Sequence, residues 1–146
     1  MPVQFIFAVK KRNALIEDAW RESLHKYLTG IVQNNGHKIY EVNSVTDHVH
    51  LFAGMRPDQS CSELMKRVKG GSSLWINENN YCRGEFSWQS GFGAFAYGKS
   101  QVKDVVKYIL NQPEHHKKET FLDEYKKFLR AFEIEFDDRY IFHEPV

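Results

Sequence analysis

The chain has few cysteines, no long apolar run and almost no net charge. Its two cysteines, Cys61 and Cys82, lack the close spacing of a metal site and form no evident disulfide framework, so we expect free thiols in a reducing cytoplasm. No stretch is long and apolar enough to cross a membrane, and the N-terminus shows no charged-then-apolar export signal. Repeats, linkers and low-complexity tracts are also missing. The sequence therefore predicts one cytoplasmic domain over residues 1–146, with no membrane partner.

The net charge of +1 conceals an uneven distribution of charged residues. Residues 119–146 contain 8 acidic and 4 basic side chains, which leaves 11 acidic and 16 basic side chains in residues 1–118. We therefore divide the domain into a core over about residues 1–116 and a C-terminal helix with an acidic tail over about residues 119–146. A basic body is compatible with a polyanionic partner, although a division of this size is common in ordinary proteins.

Hydrophobic periodicity predicts the order strand, helix, strand, strand, helix, strand, followed by two more helices. The predicted strands cover residues 3–9, 37–45, 48–55 and part of 86–97. The predicted helices cover about 16–34, a segment after Ser60, about 101–116 and 121–132. This order is typical of an α+β fold with a ferredoxin-like (RRM-like) antiparallel sheet and helices on one face, here with added C-terminal helices. Since that fold serves many functions, function has to be argued from the site.

The strand predicted around His48-Val49-His50 carries the first chemical signal. Alternate residues on a strand point to the same face, so both imidazoles lie side by side while Val49 and Leu51 face the other way. Two neighbouring imidazoles on a rigid strand form a ready pair of metal ligands. The alternative is a pair of partly exposed surface histidines without a role.

The helix predicted after Ser100 carries the second signal. Its apolar side chains cluster on one side, which must pack inward: Val102, Val105, Val106 and Ile109. Tyr108 and Gln112 lie outside that face and are neighbours on the helix surface, because they are four positions apart. They are either ordinary residues at the edge of the core, or a tyrosine nucleophile and a third, oxygen-donating ligand beside the histidine pair.

Four motifs in this order resemble a known family: Asp47-His48-Val49-His50-Leu51, Lys69-Gly70-Gly71-Ser72-Ser73, Trp88-Gln89 and Val106-Lys107-Tyr108-Ile109-Leu110-Asn111-Gln112. Together they resemble the single-tyrosine transposases of the insertion-sequence 200/605 group, within the His-hydrophobic-His (HUH) nuclease superfamily. The resemblance extends over nearly the whole chain.

This resemblance implies a DNA transposase that cuts and rejoins single-stranded DNA at the ends of an insertion element. It implies that His48, His50 and Gln112 bind a divalent metal and that Tyr108 forms a covalent link to the 5′ phosphate. It also implies a homodimer in which the histidines of one subunit work with the tyrosine helix of the other, and recognition of hairpin-forming ends. Pro113 departs from a regular helix at this point and makes the reach of Gln112 less secure.

The ligand set leaves the identity of the metal open. Two neutral imidazoles and one amide oxygen keep the full charge of the ion available to a phosphate; they suit Mn²⁺ by ligand preference, while Mg²⁺ is favoured by abundance. A second metal site at His115-His116 is not expected, because adjacent residues on a helix point about 100° apart. We interpret these two histidines as exposed polar residues at a helix end.

Basic residues distributed along the chain are the candidates for phosphate contact: Lys10, Lys11, Arg12, Lys66, Arg67, Lys69, Arg83, Lys99, Lys103 and Lys107. Three rings of the glycine-rich segment are candidates for stacking on unpaired bases: Phe92, Phe95 and Tyr97. The alternative interpretation is that most of these charges are solvated surface and most of these rings are core.

Three other functions remain compatible with the sequence. A non-catalytic module that binds single-stranded nucleic acid would use the same type of sheet, but would leave the histidine pair and the Tyr108–Gln112 spacing without a role. A replication or mobilisation nuclease would share the chemistry, although the chain is short for one. A domesticated relative that processes host repeats is the third alternative.

Overall fold

A computed structural model of the chain describes residues 1–134 together with Phe142 and Pro145. The helices and strands follow one another in this order: β1 (Pro2–Ala8), a 3₁₀ turn (Arg12–Ala14), α1 (Asp18–Asn34), β2 (Lys38–Ser44), β3 (His48–Gly54), α2 (Cys61–Glu78), β4 (Gly93–Ala96), a second 3₁₀ turn (Lys99–Gln101), α3 (Val102–Leu110), α4 (Gln112–Lys118) and α5 (Phe121–Ala131). Of the C-terminal helix and acidic tail predicted over about residues 119–146, residues 135–141, 143, 144 and 146 lie outside the described residues. No helix in the described part of the chain combines the length and the apolar character that a membrane span requires.

The four strands form one antiparallel sheet in the order β2-β3-β1-β4. β3 therefore lies in the interior of the sheet, paired with β1 on one side and β2 on the other. In the β1–β3 register Ile6 lies opposite His50 and Ala8 opposite His48. The predicted α+β fold with a ferredoxin-like sheet is confirmed.

The sheet has two different faces, because successive side chains on a strand alternate. One face contributes Phe5, Phe7, Val49 and Leu51 to the main core, which α1 and α2 cover. The opposite face carries the side chains of the alternate positions, among them Ile6, His48, His50 and Phe52. There α3 packs on Phe52 through Val105 and Ile109, and α5 packs on Ile6 through Phe121 and Tyr125.

Helix α2 begins where the sequence predicts. The hydroxyl of Ser60 accepts a hydrogen bond from the backbone N–H of Glu63 at 3.0 Å. The prediction of a single helix over residues 101–116 is wrong in two respects, which concern how this segment begins and whether it is continuous. It begins with a 3₁₀ turn after Gly98, and it is interrupted at Asn111. The interruption has a plain cause, since Pro113 has no N–H to continue the hydrogen bonds of α3 and fits only the first turn of a new helix.

The predicted strand within 86–97 is shorter than its apolar pattern indicates. Only Gly93–Ala96 pairs with β1, and Trp88 makes a single bridge to Val9. Between them Gly91 adopts a positive φ of 82°, and the ammonium of Lys69 donates hydrogen bonds of 2.7 Å to two backbone carbonyls of this segment, one of which is that of Gly91. The chain therefore turns here instead of continuing as a strand.

Candidate metal and tyrosine site

The two histidines of β3 lie side by side and are fully buried. His48 is 1% exposed and His50 is 0% exposed, and their ring centroids are 5.1 Å apart. The alternative of two partly exposed surface histidines is therefore wrong. Helices α3, α4 and α5 cover this face of the sheet, and the ring of Phe121 stacks on His48 at 4.2 Å.

An oxygen atom holds the Nδ1 atom of each ring. Nδ1 of His48 is 2.7 Å from a carboxylate oxygen of Asp47, and Nδ1 of His50 is 2.6 Å from the carboxamide oxygen of Gln4 on β1. A neutral imidazole has one N–H, so these contacts place it on Nδ1 and leave the lone pair on Nε2. When both rings are neutral, both Nε2 atoms therefore point to the same place as electron-pair donors.

Two further oxygen atoms meet the Nε2 atoms. Glu124 Oε1 lies 3.2 Å from Nε2 of His50 and 3.4 Å from Nε2 of His48. Gln112 Oε1 lies 3.2 Å from Nε2 of His48. Gln112 and Glu124 are both buried, and Gln112 reaches His48 in spite of Pro113.

His48, His50 and Glu124 lie close enough together to hold one ion, and the separations measured to the two oxygens suit a divalent cation. Two ligands that are each about 2.1 Å from an ion, at about 90° to 109° to each other, lie roughly 3.0 to 3.4 Å apart. The separations of 3.2, 3.2 and 3.4 Å between the Nε2 atoms and the two oxygens match that spacing. Without a positive charge among them, electron pairs of nitrogen and oxygen would face each other. Imidazole, carboxamide and carboxylate together form the mixed nitrogen and oxygen set of a divalent metal site.

The same contacts determine the charges of the protein groups. Burial opposes the charged ring, but hydrogen bonds to Asp47 and Glu124 raise the pKa of His48 to about 9. Burial lowers the pKa of His50, and Glu124 only partly offsets this. Although burial also opposes its ionisation, Glu124 has a pKa well below the usual range because His48 and His50 bond to it. The protein groups therefore provide one carboxylate and no more than one imidazolium.

Tyr108 of α3 reaches this cluster in the same chain. Its hydroxyl donates a short hydrogen bond to Glu124 Oε2, which also accepts one from Gln112 Nε2 at 3.0 Å. Its ring stacks on His115 at 4.4 Å. Burial and the neighbouring Glu124 carboxylate raise the pKa of Tyr108 well above its usual range. The nucleophile expected from the sequence therefore contacts Glu124, whose other oxygen faces the two histidines, and its ring lies 6.2 Å from that of His50 in the same chain.

Tyr108 and Phe128 both line two open pockets. The larger, about 410 Å³, is also lined by His115, Glu119 and Lys127. The smaller, about 250 Å³, is also lined by Gln4, Tyr97 and Asp104. An extended ligand that occupies either pocket would therefore contact Tyr108.

Sequence reasoning missed Glu124. The sequence did contain a signal for it, because Glu124 lies on the face of α5 that otherwise buries the apolar side chains Phe121, Tyr125 and Leu129. A carboxylate at such a position needs buried partners. Gln4 was missed as well, and its only signal was a polar residue at a buried position of β1.

The histidines of α4 are not the exposed pair that we expected. His115 and His116 are both half-buried, and the His116 ring lies 5.9 Å from that of His48. Asp47, His48 and His116 are also close enough to hold one ion, but this group shares His48 with the first set.

The predicted phosphate-binding residues are exposed, except for Lys69, which is half-buried against the carbonyls described above. Arg12 donates a hydrogen bond to the carbonyl of Pro145, and Arg67 pairs with Glu63. Among the predicted stacking rings, Phe95 is core at 2% exposure. Phe92 and Tyr97 are half-buried.

The sequence model of the family described as "Transposase IS200 like" matches residues 1–112, which include His48, His50, Tyr108 and Gln112 but not Glu124. The transposase for insertion sequence element IS200 of Salmonella typhimurium is 29% identical over 118 residues, covering 77% of this chain and 76% of that protein. The ISDra2 transposase TnpA of Deinococcus radiodurans is 29% identical over 68 residues, covering 47% of this chain and 49% of that protein.

Solved structures share the fold. A protein of Deinococcus radiodurans R1 assigned as a transposase superposes with a TM-score of 0.60 at 22% identity, over 77% of this chain and 90% of that one. A REP-associated tyrosine transposase bound to a REP hairpin gives a TM-score of 0.60 at 14% identity, over 79% of this chain and 67% of that one. With the family match extending over most of its length, the chain belongs to the IS200-like transposase family.

Proposed function

We propose that this protein cuts and rejoins single-stranded DNA at the ends of an insertion element, with Tyr108 as the nucleophile. One observation carries the proposal. The Tyr108 hydroxyl bonds to a carboxylate that is itself 3.2 Å from a histidine of the metal-compatible cluster. Nucleophile and cation-binding groups are thus in contact, as cleavage of a phosphodiester requires.

The reaction follows from this arrangement. The phenolic oxygen of Tyr108 attacks phosphorus, and the bond between phosphorus and the 3′ oxygen breaks. The phenolic proton leaves along the existing hydrogen bond to Glu124 and then to solvent, while water supplies a proton to the departing 3′ oxygen. The 5′-phosphotyrosine link conserves the energy of the broken bond, so a 3′ hydroxyl can reverse the step and rejoin strands without a nucleotide cofactor.

His48, His50 and Gln112 are the proposed protein ligands of a divalent metal, Mg²⁺ or Mn²⁺. When bound, such an ion supplies positive charge that holds the scissile phosphate and stabilises the negative charge on its oxygens and on the phenolate. Tyr108 needs that help, since its pKa is raised and its phenolate is scarce at neutral pH. Asp47 and Gln4 keep both Nε2 atoms turned inward.

The site favours a single strand as substrate. Tyr108 lines two pockets, which an unpaired strand could enter more easily than a stacked duplex. Lys103 and Lys107 are exposed on the same helix and can contact phosphates. By analogy with the relative solved on a REP hairpin, we propose that hairpin-forming element ends are recognised.

The test is a covalent adduct. We expect an oligonucleotide with a hairpin, labelled at its 3′ end and incubated with Mn²⁺ or Mg²⁺, to become attached to the protein in a denaturing gel. Tyr108→Phe should abolish the adduct, as should a chelator or His48→Ala. Tyr40→Phe, a half-buried tyrosine on the same face of the sheet, is the matched control and should retain it. Adduct formation by Tyr108→Phe would contradict the assignment, and DNA binding without any adduct would favour a non-catalytic binding module.

We also propose a homodimer with shared active sites, in which α3 of one subunit serves the histidines of its partner. The support is the family membership, and the contacts described above within one chain provide the alternative. Mixing His48→Ala with Tyr108→Phe distinguishes the two. Shared sites would restore adduct formation in mixed dimers, because one wild-type pair is re-formed. Sites complete within one chain would leave the mixture inactive.

A further inference from the structure

Glu124 contributes more to the site than a counter-ion would. The residue is 4% exposed, and an ionised buried carboxylate is costly unless it is fully paired. The two oxygens have different partners. Oε1 faces the Nε2 atoms of His48 and His50, whereas Oε2 accepts hydrogen bonds from Tyr108 and Gln112.

The distances distinguish a metal ligand from a simple ion-pair partner. If Glu124 were only the counter-ion of an imidazolium, its position would be explained for one ring at most. Two charged rings with centroids 5.1 Å apart would repel each other. Oε1 nevertheless lies almost equally far from both Nε2 atoms, at 3.2 and 3.4 Å. Such a position suits an oxygen that shares one cation with both rings.

The Oε2 atom connects this set with the nucleophile. The hydrogen bond from Gln112 Nε2 turns the carboxamide so that its Oε1 faces His48. The hydrogen bond from Tyr108 fixes the hydroxyl beside the same carboxylate. One residue of α5 therefore touches both a ligand on α4 and the nucleophile on α3.

From this geometry we infer that Glu124 is a fourth, anionic ligand of the divalent ion and that its second oxygen holds the Tyr108 hydroxyl in position. The inference rests on the cation site of the proposed function but not on DNA cleavage. With this fourth ligand, the net charge of the site and its bound ion is lower by one than with two imidazoles and one amide alone. The matched family region ends at Gln112, so this ligand lies beyond it.

The first experiment measures Mn²⁺ binding to the full chain without DNA, by calorimetry or by the electron paramagnetic resonance signal of the free ion. We expect Glu124→Gln to bind Mn²⁺ at least about 10-fold more weakly than wild type. The matched control is Asp123→Asn, which removes the same charge from an exposed neighbour on α5 and should stay within about twofold. Wild-type affinity in Glu124→Gln would overturn the inference.

The second experiment separates the two oxygens. Tyr108→Phe removes the hydrogen bond to Oε2 but no proposed ligand, so its Mn²⁺ affinity should remain within about threefold of wild type. Glu124→Gln should form the covalent adduct more slowly even at saturating Mn²⁺, because the variant lacks the carboxylate that holds the Tyr108 hydroxyl and accepts its proton. An adduct rate equal to wild type at saturating Mn²⁺ would overturn the positioning role.

Folding is controlled in both experiments by thermal unfolding of the metal-free variants. If Glu124→Gln unfolds, Glu124→Asp provides the answer, since it keeps the charge but shortens the side chain. Weaker Mn²⁺ binding by the folded aspartate variant supports the inference, and unchanged binding overturns it. Because binding is measured without DNA, a protein that binds Mn²⁺ through Glu124 but forms no adduct would refute the proposed function and leave the ligand intact.

Discussion

At the scale of single residues, the site depends on side chains that never touch the proposed ion. Asp47 and Gln4 each hold the Nδ1 atom of a histidine, and Gln4 is itself held by a 3.0 Å hydrogen bond to the hydroxyl of Tyr97. Such partners determine the tautomer and the direction of a ligating imidazole. The histidine pair is therefore oriented before any ligand arrives.

Replacing Asp47 tests this orientation. Asp47→Asn keeps the size of the side chain but removes its charge, so His48 loses an obligatory acceptor for its Nδ1 proton. We expect Mn²⁺ affinity to fall by about 10- to 100-fold. Calorimetric titration measures it, and Asp58→Asn, an exposed carboxylate beside Arg56, is the control. An unchanged affinity would show that the carboxylate does not orient the ring.

A second residue-scale prediction concerns His25 of α1, away from the site. Burial and the nearby Arg21 lower the pKa of His25 to about 4, although Glu22 acts in the opposite direction. As the pH falls through the range from 6.5 to about 4, His25 therefore becomes protonated in the unfolded chain but stays neutral in the folded protein. The stability associated with neutral His25 is complete above that range and is lost on acidification.

His25→Gln keeps a polar partner for Ser44 but cannot titrate. Wild type should lose on the order of 1 kcal/mol more than the variant between about pH 7 and pH 4.5, less than the full shift implies because the ring is only half-buried. Urea unfolding at both pH values measures the difference. Parallel losses in the two proteins would contradict the prediction.

At the scale of helices and strands, the glycines show which positions are crowded. A Cβ added to Gly93 at the start of β4 would lie 2.6 Å from a ring carbon of Tyr125, whereas a Cβ on Gly30 in α1 would meet nothing within 4 Å. The first glycine lets α5 approach the sheet closely. The second merely weakens its helix.

The pair of alanine substitutions should therefore have opposite effects. Gly93→Ala should destabilise the protein by about 1 to 3 kcal/mol, because Tyr125 must move and α5 with it. Gly30→Ala should stabilise it by about 0.5 to 1 kcal/mol through helix propensity alone. Thermal unfolding measures both changes, and equal effects would contradict the role of Gly93 in packing.

Much at this scale could be predicted from the sequence. The order of strands and helices along the chain, the Ser60 cap and the histidine-bearing strand depend on local patterns of periodicity and capping. His48, His50, Tyr108 and Gln112 could be chosen because each lies in a local motif. Glu124 could not, since its contact with His50 joins residues 74 positions apart. Pro113 indicated that the helix would be disturbed near Asn111, but it could not show that the helix ends there. A single proline is compatible with either a bend or an end of a helix.

At the scale of the whole molecule, the two faces of the sheet have different roles. α1 and α2 close the apolar core on one face, while α3, α4 and α5 build the site on the other. If DNA lies along the site face, basic residues on α3 should contribute to its salt dependence and those on α1 should not.

The salt dependence of binding to single-stranded DNA measures this. Replacing Lys103 and Lys107 with glutamine should reduce the slope of log affinity against log salt concentration by up to about 1.4. Lys26→Gln, an exposed lysine on α1, should leave the slope unchanged. Fluorescence anisotropy over a series of salt concentrations provides the slopes, and an equal effect from Lys26 would mean that DNA does not follow α3.

The proposed ligands come from β3, α4 and α5, which are far apart along the chain: His48 and Gln112 are 64 positions apart, and His50 and Glu124 are 74 apart. An ion bound by them would close long loops, much as a covalent cross-link does. Its contribution to the folded state grows with the logarithm of free ion concentration. Proteases act on transiently opened chains, so the metal supply of the cell would influence how long each molecule survives as well as how fast it reacts.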